Sequence, residues 1–137
     1  MATMRKESWI YVGSAALTGG EALKFSSKGK VDVATAVTDK PVGIAAEACA
    51  AGNTVGQNIA VWAPYMAPTV QVIGSTTIAE GDYLSATTGG KMVTVTPKAT
   101  YEASVAEVIW GYANEAAGSG GTDVIEMVWF LTAQSLT

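Results

Sequence analysis

At 137 residues the chain has room for one domain around one core. Only 15% of its residues are charged, against 49% hydrophobic and 15 glycines, which argues against long charged helices and for short strands joined by tight turns. The net charge of −4 is uneven, with six basic against four acidic residues over 1–40 and two against eight over 41–137; an acidic body with a single arginine argues against direct nucleic-acid binding.

Residues 1–16 read as an N-terminal arm in which charged Arg5-Lys6-Glu7 leads into strand-forming Trp9-Ile10-Tyr11-Val12, with an ordinary first strand completing the chain's own sheet as the competing assignment. That apolar run is too short for a signal-peptide core or a membrane span, so neither secretion nor a membrane partner is expected, and synthesis belongs in a cytoplasm. Thr18 to Glu21 is a turn before a strand over Ala22 to Phe25, and Ser26 to Gly29 turns the chain into the in–out–in Val31-Asp32-Val33. Asp39-Lys40-Pro41 precedes Val42-Gly43-Ile44-Ala45, and Ala51-Gly52-Asn53 precedes a strand centred on Ile59 to Val61. Two prolines bar Trp62 to Pro68 from a central strand or a regular helix. Strands resume at Thr69 to Ile73, Tyr83-Leu84 and Met92 to Thr96; Val105 to Tyr112 reads as another, with a short helix over Ala103 to Ile109 as the competing assignment. Val124 to Leu131 closes the chain as a strand apolar enough from Met127 to be buried on both faces. The expectation is an all-β barrel or sandwich with little helix, a single domain spanning 1–137 and roughly nine to eleven short strands.

The chain also repeats itself. Gly20-Glu21-Ala22-Leu23 aligns with Gly81-Asp82-Tyr83-Leu84, and Gly29-Lys30-Val31 with Gly90-Lys91-Met92. Further on, Val42 to Ala45 aligns with Trp110 to Ala113, and Ala50-Ala51-Gly52 with Ala116-Ala117-Gly118. Two similar halves, approximately 17–61 and 78–128, are expected to share one structure, since neither buries its apolar face alone.

Chemistry has little to work with. The chain has no histidine, which removes His-based nucleophile systems and metal sites, and Cys49 is a lone thiol in an apolar setting with nothing to activate it. Ser26-Ser27-Lys28 reads as a turn, Glu80-Gly81-Asp82 as a hairpin with solvated acids, and Gly118 to Gly121 as a linker without the features of a phosphate loop. No catalytic, metal or cofactor-binding residue is expected, and no enzyme. What stands out is four Trp and five Tyr. Trp110 and Trp129 lie in strand-like runs and suit a core; Trp9, Tyr11, Trp62 and Tyr65 are harder to bury, and aromatics on irregular segments suit interfaces. With Arg5, Lys6 and Met66 they form the expected contact surface toward a partner or a second subunit.

Gly20 to Ser26, Gly29 to Val31, Thr38 to Ala45, Ala50 to Gly52, Val55 to Val61, Ile78 to Leu84 and Gly89 to Lys91 together resemble the cement (decoration) proteins of bacteriophage capsids, over residues 17–113. The resemblance implies a head-stabilising protein on the outer capsid surface of a virion, with the major capsid protein as partner and a homotrimer as the form on the shell. An oligomer touching several capsid subunits gains affinity through multivalency. The rival expectation is a carbohydrate-binding β-module using exposed Trp and Tyr.

Overall fold

The computed structural model describes residues 6–39, 41–52, 55–63, 69–95 and 107–136. Ten strands run through them: β1 Lys6–Tyr11, β2 Ala22–Ser27, β3 Lys30–Val33, β4 Pro41–Ala45, β5 Gln57–Trp62, β6 Thr69–Ile73, β7 Tyr83–Ala86, β8 Met92–Thr94, β9 Glu107–Ala113 and β10 Val124–Leu136. A single 3-10 turn at Thr88–Gly90 is the helical content among them, and no described helix is long and apolar enough to cross a membrane. The all-β expectation holds. Over Glu107–Ala113 the strand assignment wins over the helix, while residues 103–106 lie outside the described residues.

β1 to β5 form a closed barrel in the order β1-β3-β2-β4-β5. The barrel closes because β1 pairs antiparallel with β5 from Lys6↔Trp62 to Tyr11↔Gln57, and parallel with β3 at Ile10↔Lys30 and Tyr11↔Val31. The second half repeats that order, β6-β10-β9-β7-β8, with an isolated parallel bridge Gly74↔Met92 where the first barrel has Tyr11↔Val31.

The correspondence extends to individual pairs. Ala22↔Ile44 and Leu23↔Gly43 in the first half match Tyr83↔Tyr112 and Leu84↔Gly111 in the second. Gly20 N–H donates to Ala45 O at 2.8 Å, and Gly81 N–H to Ala113 O at 2.8 Å. The strand pairing of the two halves therefore matches as the aligned sequences require up to Ala45 and Ala113. Beyond that the registers part: the bridge Leu17↔Cys49 corresponds to Ile78↔Ala117, two residues away from the sequence alignment of Ala51 with Ala117. Glycines and alanines in turns drew the alignment, whereas the hydrogen-bonded bridge sets the register.

Two expectations are corrected. Residues 6–11 are extended, yet they are a barrel strand with six partners on β5 rather than an arm, because the inner edges of β3 and β5 need a strand between them; residues 1–5 lie outside the described residues. β10 alternates at its start, with Ile125, Met127 and Trp129 buried, Val124 exposed and Glu126 and Val128 half-buried; over Met127 to Trp129 one face is core rather than two, and the side chains beyond Trp129 lie outside the described residues.

The halves have distinct cores. Tyr11, Leu17, Leu23, Val31, Ile59 and Val61 fill the first barrel. Trp110 and Trp129, stacked with ring centroids 6.5 Å apart, anchor the second with Leu84, Met92, Ile125 and Met127. Ala22, Ala34 and Ile44, from the first half, join that second core and so bind the halves together. Gly90 N–H to Ala34 O (2.9 Å) and Val108 N–H to Val37 O (2.8 Å) cross the same boundary.

Candidate interaction surface

The seam between β1 and β5 holds four of the seven expected contact residues. Pairing sets Lys6 opposite Trp62, Trp9 opposite Ile59 and Tyr11 opposite Gln57. Strand alternation then separates them. Tyr11 turns inward, is fully buried, and donates its phenol O–H to Ala15 O at 2.6 Å, so it is core rather than contact surface. Trp9 is half-buried against the first core, its indole N–H donating to Glu7 Oε2 at 3.2 Å. Trp62 points outward from the first barrel and packs, half-buried, against the second core. Arg5, Tyr65 and Met66 lie outside the described residues, as does the Lys6 side chain.

Two clefts border Trp62. One, of about 270 Å³, is lined by Trp62, Thr69, Val70, Gln71 and Glu126. The other, of about 340 Å³, runs from Thr18, Gly19 and Gly20 past Ala46 and Glu47 to Trp62 and Val124. Their carboxylates serve the backbone and neighbouring side chains: Glu47 Oε1 accepts from Ala60 N–H at 3.0 Å, and Glu126 Oε1 from Asn114 Nδ2 at 2.6 Å. Among the described residues no group of three or more Cys, Asp and Glu is placed to hold a metal ion.

The remaining acids shape turns. Glu21 accepts from the N–H groups of Thr18 and Gly19 at 2.8 Å each, and Asp82, its counterpart in the second half, from Ala79 N–H at 2.9 Å. Asp39 accepts from Thr35 and Ala36 N–H at 2.8 and 3.0 Å, with Lys24 Nζ 3.6 Å away. Burial opposes its ionisation, but the two N–H donors and the Lys24 ammonium outweigh burial and hold the carboxyl below its usual range. At Cys49, half-buried and unbridged, burial and then the Glu47 charge push the thiol up, away from the reactive thiolate.

The expected contact residues leave out the most exposed aromatic side chains among the described residues. Tyr83 (53% exposed) and Tyr112 (36%) are register partners across β7 and β9 on the outside of the second half. Phe25 (60%) and Ile10 (37%) lie open on the first half. The repeat carried a signal for the tyrosines, since it sets them at the positions of Ala22 and Ile44, small or aliphatic residues that suit burial.

No protein-family model matches the chain, and no curated protein matches it. Among solved structures it is similar to the "N base" of head fiber gp8.5 of bacteriophage phi29, with a TM-score of 0.66 and 18% identity over 95% of this chain and 98% of that one. At that identity the likeness establishes a shared fold.

Proposed function

We propose that this protein is a structural component of a phage head, a cement protein that sits on the outside of the icosahedral shell and ties neighbouring major capsid subunits together. The observation that carries the reading is the fold likeness to a phage head fiber base, which spans nearly the full length of both chains. The sequence resemblance to capsid cement proteins, drawn from turn and strand motifs, points the same way. The reading needs no catalysis, cofactor, nucleic acid or membrane. It needs a rigid β scaffold, a surface for the major capsid protein and several copies acting together, with a homotrimer as the form on the shell. A protein that binds only the mature shell stabilises that shell by mass action.

Where the genome that encodes this chain also encodes a major capsid protein, shells assembled from that protein are the test. Purified protein is expected to co-sediment with mature shells, to appear as density on their outer surface, and to raise the temperature at which they open. Failure to bind either immature or mature shells would overturn the proposal. A second reading, a carbohydrate-binding β-module, draws on the exposed, register-paired Tyr83 and Tyr112, whose rings suit stacking on a sugar. Specific glycan-array binding, abolished by Tyr83→Ala, would favour it.

A further inference from the structure

The two halves meet through unlike surfaces. The first half offers a face: Ala22 and Ile44, register partners on β2 and β4, are fully buried there beneath the second half. At the rim of that face Gly20 (φ 96°) lies so close that an added Cβ would stand 3.3 Å from Ile73 Cγ1. The second half offers an insert made of the end of β6, with Ile73, and the turn at Gly90 (φ 71°). A Cβ on Gly90 would lie 2.7 Å from Val33 Cγ2 and 2.9 Å from Glu21 Cβ.

Strand registers give every one of these positions a counterpart. Tyr83 and Tyr112 stand where Ala22 and Ile44 stand, and Gly81 where Gly20 does. Ile10, the β1 residue opposite Asn58, corresponds to Ile73, the β6 residue opposite Val124. Gly29, before Lys30 and Val31 of β3, corresponds to Gly90, before Lys91 and Met92. The counterparts are exposed. Gly81 (φ 87°) and Gly29 (φ 73°) keep the backbone conformation of Gly20 and Gly90, yet nothing lies within 4 Å of a Cβ at either. A contact between unlike surfaces of two similar units leaves one surface of each kind unfilled at the ends.

Charge agrees with the geometry. Exposed Lys28 and Lys30 flank Gly29, while exposed Glu80 and half-buried Asp82 flank Gly81. We propose that the Tyr83–Tyr112 face of one molecule receives the Ile10 and Lys28–Lys30 surface of a second copy of this chain, repeating between molecules the contact made within each. Tyr83 and Tyr112 are larger than Ala22 and Ile44, which are fully buried in the internal contact, so the external junction seats the incoming surface farther out and packs differently. Aromatic side chains of this kind supply much contact for little lost side-chain freedom. This inference stands on the repeat and does not depend on the phage reading.

Sedimentation of the purified protein is the test. Wild type is expected to associate at concentrations up to about 1 mM, the weak end of specific binding. Tyr83→Lys and the double variant Lys28→Glu/Lys30→Glu are each expected to weaken association at least about ten-fold through like-charge contact and lost complementarity. Mixed, the two variants retain one intact face and one intact insert between them, so association is expected to reappear in the mixture. Circular dichroism confirms folding, and Glu80→Lys on the exposed turn replaces Tyr83→Lys if that variant does not fold. Wild type that stays monomeric, variants that associate as wild type does, or a mixture that stays monomeric would each overturn the proposal.

Discussion

Gly13 and Tyr11 occupy one corner of the first barrel, where a Cβ on the glycine would run into the tyrosine ring and lie 2.6 Å from Asp32 Oδ1. Gly13→Ala is therefore expected to cost about 1–3 kcal/mol, the usual range for overpacking, and to show as a lowered denaturation midpoint. Tyr11→Phe removes the bond to Ala15 O and should cost about 1 kcal/mol. Burial, then the negative charges around Asp32, hold the Tyr11 phenol above 10.0, so this stabilisation is complete below pH 10 and is lost as pH rises through the higher folded value. An alkaline spectrophotometric titration should show a late component that Tyr11→Phe removes. Asp39 has the opposite sign: its carboxyl is held below 3.8, so its contribution is present above that value and fades as pH falls through the lower folded one, and Asp39→Asn should flatten the acid limb of a melting curve. The inward turn of Tyr11 was not legible in the sequence, because both faces of β1 are mixed: Glu7, Trp9 and Tyr11 on one side, Ser8 and Ile10 on the other. Trp110 and Trp129 were legible, since their strands carry apolar neighbours at alternate positions.

At the scale of elements, strand positions followed from local chemistry, and pairing did not. β-branched and aromatic runs between Gly and Pro turns located β1 to β10 closely. The role of β1 escaped because its partners lie elsewhere in the chain, β3 beyond a hairpin and β5 some fifty residues on, and no local pattern encodes which edge a strand fills. Removing residues 1–12 should lower the melting temperature by more than about 10 °C, since it opens the barrel and exposes its core; an unchanged melting temperature would contradict the barrel closure. Val42-Gly43-Ile44-Ala45 and Trp110-Gly111-Tyr112-Ala113 were matched by sequence alone, and their shared glycine has a physical cause. A Cβ at Gly43 would collide with Trp62 O, and one at Gly111 with Val128 O, each on the neighbouring strand. Gly43→Ala and Gly111→Ala should each cost about 1–3 kcal/mol by pushing that strand away, measurable by urea unfolding.

For the whole molecule, the sequence indicated two similar halves but not which of their outer faces is covered, because that depends on how one half rests on the other. Ala22 and Tyr83 are equivalent in register and opposite in environment, one fully buried and the other half in solvent. The surface proposed for self-association differs from the one expected around Trp9 and Tyr11, and rests on the exposure of Tyr83, Tyr112 and Ile10. The way each half closes also dictates an order of events during synthesis. β1 is made before its partners and stays unpaired until β3 and then β5, ending at Trp62, have followed it. β6 in turn waits for β10, which starts at Val124. Each half thus pairs its earliest strand with its latest, so loop entropy is paid before those contacts form. Non-local closure of this kind belongs to proteins that fold in milliseconds to seconds rather than microseconds. The first barrel can close while the second is still being made, and its Ala22–Ile44 face then stays bare until the second half arrives to cover it.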